Sequence, residues 1–184
     1  MKKSFTGFIA FLFLVTAFFA FHSDAPAQTK RVDKRAERAA KMGDDFFRKK
    51  DYRSAISKYA EAISLAPVYP YAHFWKGYAH YYLDEYDQSL SDLNTAFNQG
   101  HTPIEVYKVR WFVNLQKGNY DAALRDAQEG ARLEPNNPDF QKGLAGAYFG
   151  KKEYQNALAA YRKVAAAEPN NGDVSYYIAE SHFN

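Results

Sequence analysis

Four tyrosines, Tyr52, Tyr86, Tyr120 and Tyr154, recur at a constant spacing along this chain of 184 residues, and their neighbours repeat with them. The four segments read YRSAISKYAEAI, YDQSLSDLNTAF, YDAALRDAQEGA and YQNALAAYRKVA. Three places after each Tyr comes a small residue (Ala55, Ser89, Ala123, Ala157), then an apolar one (Ile56, Leu90, Leu124, Leu158). Pro67, Pro135 and Pro169 recur at two periods and then one. A fixed period of this length requires a stacked array, because each period supplies one supersecondary unit that buries its apolar face only against its neighbours.

Within each period the chain reads as two helices. Apolar residues follow helical spacing in segments such as AAKMGDDFFRK and DYRSAISKYAEAISLA, and strand-like alternation is absent. LAP, LEPNNP and AEPNNG act as stops: proline lacks the amide that a continuing helix needs, and Asn suits the turn and the next N-cap. The pattern predicts nine helices, at 31–49, 52–65, 70–83, 86–98, 103–117, 120–133, 138–150, 154–167 and 172–184.

These features resemble the tetratricopeptide repeat family, whose 34-residue helix-turn-helix unit has a pattern of the type W-x2-L-G-x2-Y, A-x3-F and Pro. The unit over 36–69 matches with Met42, Gly43, Phe46, Ala55, Tyr59, Ala62 and Pro67. The unit over 138–171 matches with Leu144, Ala145, Tyr148, Ala157, Tyr161 and Pro169. The unit over 70–103 keeps Gly77, Ser89, Leu93 and Ala96, and that over 104–137 keeps Tyr107, Ala123, Gly130 and Pro135. A fifth, over 172–184, begins with Ile178 and Ala179 in phase. The resemblance implies an all-α fold, a right-handed superhelical solenoid that binds a segment of a partner protein in its concave groove.

Two units depart from the pattern. Trp111 occupies the small position of the third unit, where an indole wedges the helices apart or forces local repacking. In the second unit the packing positions hold His73, Lys76, Gly77 and His80, while Tyr71, Phe74, Trp75, Tyr78, Tyr81 and Tyr82 share one helical face. In the strict periodic register that face lines the inner surface; a shift of two would instead bury Trp75, Tyr78, Ala79 and Tyr82. The strict register is preferred because Gly43 to Tyr52 and Gly77 to Tyr86 span the same interval. The candidate protein-binding groove is therefore Tyr71, Phe74, Trp75, Tyr78, Tyr82, Phe112 and Phe149, with Lys108 and Lys142 as isolated charge guides. The recurring Tyr at 52, 86, 120 and 154 is expected to pack at the turn inside each unit.

The N-terminus reads as an export signal. Lys2 and Lys3 precede an uncharged run, Phe8 to Phe21, and Ala25 and Ala27 satisfy the small-residue cleavage rule. Residues 1–27 are the expected signal peptide and 28–35 a lead-in. The expected location is periplasmic or extracellular, in a bacterial envelope, with a membrane anchor if the signal stays uncleaved. The absence of cysteine excludes disulfides, Cys-ligated zinc and cysteine nucleophiles. A formal net charge of +3 argues against a nucleic-acid binder working by charge alone.

Chemistry is otherwise sparse. His73 and His80 lie two turns apart on one helix, about 10.5 Å of rise, too far to chelate one metal as an i, i+4 pair does. No nucleophile elbow, Walker loop or HExxH is present. Gly143, Gly146 and Gly150 fall on one helix and are expected to leave bare backbone facing inward. The acid pairs Asp44-Asp45 and Asp84-Glu85 read as solvated surface. The expected function is an exported, non-enzymatic scaffold without cofactor, metal or small-molecule substrate, binding a protein or peptide segment in the envelope. The alternative is the recognition fragment of a longer envelope protein whose catalytic or anchoring domain lies beyond residue 184.

Overall fold

The computed structural model describes residues 32–183; the expected signal peptide and the first half of the lead-in lie outside them. Among the described residues there are nine helices and no strand. They are α1 (Lys34–Arg48), α2 (Tyr52–Leu65), α3 (Pro70–Tyr81), α4 (Tyr86–Asn98), α5 (Ile104–Gln116), α6 (Tyr120–Leu133), α7 (Pro138–Gly150), α8 (Tyr154–Ala167) and α9 (Gly172–Phe183). Starts follow local chemistry. Asp33, Asp51 and Asn137 cap α1, α2 and α7 by accepting from the amides of Arg35, Ser54 and Asp139. Pro70 and Pro138 take first-turn places, where a missing amide is harmless.

The turn inside each unit is the same device four times. Lys50, Asp84, Gly118 and Lys152 all have positive φ, between 57° and 73°, and recur with the period of the tyrosines. In each, the next residue's amide reaches back into the preceding helix: Asp51 to Phe46, Glu85 to His80, Asn119 to Asn114 and Glu153 to Tyr148, at 2.8–3.0 Å. This left-handed closure satisfies helix-end carbonyls and reverses the chain within a short turn. It also ends α3 at Tyr81, earlier than the sequence pattern suggested. The periodic tyrosines start the second helices directly after these turns. Tyr52 meets Phe47 at 5.3 Å and Tyr154 meets Phe149 at 5.7 Å, as expected of a residue that packs at the turn.

The core runs along the stack as four linked clusters of buried side chains. In the first, second and fourth units a small residue on the first helix faces a large one on the second. A Cβ on Gly43 would lie 2.6 Å from the Tyr59 ring, and one on Gly77 would lie 2.9 Å from Leu93 Cγ. Ala145 and Tyr161 share the last cluster. The Gly77 contact settles the register of the second unit in favour of the strict one, and Tyr82, which a shifted register would bury, is 45% exposed.

Trp111 forces the local repacking expected of it by an exchange of sizes. It occupies the small position and Ala127 the large one, both buried. Gly143 on α7 completes the space: a Cβ there would lie 2.8 Å from the indole and 2.9 Å from Ala127. Of the α7 glycines Gly143 is buried, while Gly146 and Gly150 are partly exposed and line a cleft beside α5. Leu115 lies over Gly146 and the Tyr120 ring over Gly150. On α9, of the two residues in phase with the repeat, Ile178 packs against the last cluster and Ala179 does not. The helix buries Val174 and Ser181, leaves Ala179 exposed, and stacks Tyr177 on Tyr161 at 5.3 Å.

Candidate functional site

The first helices of the units carry the expected binding residues. On α3, Tyr71, Trp75 and Tyr78 are half-buried, and Tyr82 just beyond its end is exposed. Three of them meet at Phe47 of α1, whose ring centroid lies 5.1 Å from Trp75, 5.6 Å from Tyr78 and 5.7 Å from Tyr82. Tyr82 stacks flat on Tyr52 at 4.7 Å. Edge-to-face and stacked pairs of this kind contribute about 0.5–1.5 kcal/mol each beyond their buried area. Phe47 and Tyr52 extend this surface to α1 and α2, where the sequence reading placed no groove residue. The missed signal was a column that keeps the period of the tyrosines: Phe47, Tyr81, Leu115 and Phe149.

Phe74 is a correction. It is 3% exposed and packs with Leu93, Ala96 and Val106, so it belongs to the core between α3, α4 and α5. Trp75 packs against residues of two core clusters, which ties it to stability as well as to surface. Tyr81 carries the strip onward, meeting Phe112 of α5 edge-on at 5.4 Å. Beyond it a cleft of about 600 Å³ opens, lined by Phe112, Lys142 and Phe149 together with Trp111, Tyr120 and Tyr177.

The two lysines are not isolated. Lys108 Nζ lies 2.6 Å from Asp139, and Lys142 Nζ lies 2.7 Å from Glu168 and 3.9 Å from Asp139. The acids Asp44 and Glu85, expected as solvated surface, are engaged too. Asp44 accepts the hydroxyls of Tyr59 and Tyr71 at 2.8 and 2.9 Å. Burial, and then these bonds to a carboxylate, hold both phenols above the ordinary tyrosine range. Glu85 pairs with His80 and Arg53.

Sequence reasoning also missed a polar pair repeated between helices. Lys76 Nζ lies 3.0 Å from Asp92, and one period later Arg110 lies 3.2 Å from Asp126. His73 joins Asp92 at 3.3 Å, and Asn114, the counterpart of His80, donates to Asp126 at 3.4 Å. Burial pushes the Asp126 carboxyl up to about 6, outweighing the pull of Arg110. The odd polar residues of α3 and α5 thus serve buried acids of α4 and α6. Among the described residues no group of His, Cys, Asp and Glu could hold a metal ion, and no helix is long and apolar enough to cross a membrane.

The paired helices, their single repeated turn and the small–large contact across each pair define a helical-repeat solenoid. The pattern described as Tetratricopeptide repeat matches residues 114–182, and that described as TPR repeat matches residues 43–84. The chain belongs to the tetratricopeptide repeat family. It is 30% identical over 118 residues to U-box domain-containing protein 70 of Oryza sativa subsp. japonica, covering 64% of this chain and 15% of that protein. It is 32% identical over 106 residues to serine/threonine-protein phosphatase 5 of Rattus norvegicus, covering 58% of this chain and 21% of the relative. Solved structures share the fold. MamA 41-end from Desulfovibrio magneticus RS-1 superposes with a TM-score of 0.75 at 14% identity, covering 83% of this chain and 86% of that one. YrrB, described as a TPR protein with an unusual peptide-binding site, gives 0.75 at 15% identity, covering 80% and 76%.

Proposed function

We propose that this chain is an exported, non-enzymatic scaffold that binds a segment of another protein along the aromatic face of its first helices. The observation that carries this reading is the continuity of that face. Rings run from Phe47 and Tyr52 through Tyr78, Tyr81 and Phe112 into the cleft bounded by Phe149. Aromatic rings offer large contact area at low entropic cost, which is why they dominate binding hot spots. Relatives of this fold support the reading: YrrB is described by its peptide-binding site, and another relative, 28% identical over 102 residues, is Hsp70-Hsp90 organizing protein 2 of Arabidopsis thaliana. Export to a bacterial envelope rests on Lys2, Lys3, the apolar run and the Ala25–Ala27 cleavage site.

Tyr82 gives the cleaner test, because Trp75 also serves the core. Tyr82→Ala is expected to leave the melting temperature within a few degrees of the parent while partner recovery from envelope extract falls by about 2 kcal/mol, the scale of a hot spot. Unchanged recovery refutes the groove. Intact mass of the exported protein checks processing: a mature N-terminus at Gln28 is expected, and retention of Met1 to Ala27 in membranes argues for an anchor. A second reading, the recognition part of a longer protein, draws on the proportion of the relatives: the chain spans 15–21% of the first two. Sequencing the reading frame beyond Asn184 separates the two.

A further inference from the structure

The cleft between α5, α7 and the start of α9 has a definite electrostatic character. Its wall is largely rings, including Trp111, Phe112, Tyr120 and Phe149, whose faces carry negative charge density. Two of its helices end in it. α5 closes at Gln116 and α7 at Gly150, both lining residues, so the negative ends of two helix dipoles meet there, set against the single positive end of α9, whose first turn also lines the cleft. The cations next to those ends are engaged elsewhere, Lys117 by Asp87 at 2.6 Å and Lys151 by Asp121 and Glu153 at 2.8 and 3.1 Å. Lys142, the one cation among the described lining residues, is held by Glu168 and faces Asp139. Asp173, in the first turn of α9, also lines the cleft, is exposed, and has no ion-pair partner among the described residues.

The rings, the two helix ends and Asp173 all favour positive charge. Resting on the reading of this face as a protein-binding groove, we propose that the cleft receives an arginine or lysine side chain of the partner segment. The cation lies against the rings and Asp173, while apolar neighbours of the segment cover the strip toward Tyr81. Lys142 is then a tethered counter-charge that limits affinity, the reverse of a guide for an acidic partner.

The probe is a set of pools of short immobilised peptides, randomised except for a central Arg, Glu or Leu, exposed to the full chain. The Arg pool is expected to retain about tenfold more protein than the Glu pool, since a desolvated cation–π contact and a charge-assisted bond act together. Retention should fall as salt rises. Asp173→Asn should lower Arg-pool retention by about threefold, the scale of one partly exposed charge contact. Lys142→Gln should raise it, and melting curves of both variants should overlay the parent. A preference for the Glu or Leu pool, equal retention of all pools, or weaker Arg-pool retention by Lys142→Gln overturns the proposal and leaves the groove standing. Failure to retain any pool above background overturns both.

Discussion

Gly43 shows how narrowly single positions are specified. A Cβ there would sit 2.6 Å from the Tyr59 ring, and that ring is fully buried with its hydroxyl fixed on Asp44. The ring has no room to give, so Gly43→Ala should destabilise by about 1–3 kcal/mol despite the better helix propensity of alanine. Chemical denaturation measures it; a stabilised variant would mean the helix pair is loosely packed. Asp126 supplies a pH signature. Its folded carboxyl is pushed up to about 6, above the value of an unfolded aspartate, so the folded state binds the proton more tightly. Stability from this group is therefore greatest below the unfolded value and falls as pH rises from about 4 to about 6, by about 2–3 kcal/mol. Comparing melting at pH 4.5 and 7.5 in the parent and in Asp126→Asn isolates it: the variant should lose this part of the pH dependence. An unchanged difference between the two pH values would show that Arg110 holds the carboxylate ionised.

At the scale of elements, the helices and their pairing were written in the periodic residues, because turn, cap and small–large contacts are local and recur in phase. What escaped was whatever joins one helix to another without periodic apolar character. Asp92 and Asp126 carry no sign of burial in the residues of their own helices, and only the partners Lys76 and Arg110, each on the preceding helix, reveal them as interior. Phe74 failed for a related reason. Helical spacing put it on one face with Trp75 and Tyr78, but α5 covers it, and spacing within α3 carries no information about α5. The Trp111 exchange was half legible: the oversized residue was noticed, the undersized Ala127 opposite was not. Its consequence is testable. Trp111→Ala should cost about 3–5 kcal/mol by emptying the space beside Gly143 and Ala127. Adding Ala127→Leu, which restores the size order of Gly77 and Leu93 in the preceding unit, should recover about 1–2 kcal/mol of it. A double variant no more stable than the single one would refute the exchange. The turn has its own prediction. Gly118, the one glycine among the four left-handed turn residues, should lose about 1 kcal/mol on replacement by alanine, read by chemical denaturation.

Across the array, stability is carried from unit to unit, because each helix pair completes its core only against its neighbours. The links differ in kind along the chain. α1 and α3 are joined by rings, through Phe47, Trp75 and Tyr78, and α3, α4 and α5 by Phe74, Leu93 and Val106. α5 carries the most continuous burial: Val106 and Val113 are 0% exposed, Val109 5% and Trp111 8%. α9 rests on α8 through Val174 and the Tyr161–Tyr177 stack, with Tyr176 and Phe183 on its open side at 62% and 91% exposed. Local opening follows the density of such contacts, so amide exchange should grade along the sequence. The amides of Val106–Val113 should exchange only through global unfolding, and those of Tyr176–Phe183 at rates set by local fraying of α9. Hydrogen-exchange mass spectrometry across a denaturant series reads both limits. Protection as strong over Tyr176–Phe183 as over Val106–Val113 would show that the stack folds as one cooperative block, and that the exposed face of α9 is stabilised by the array no less than its centre.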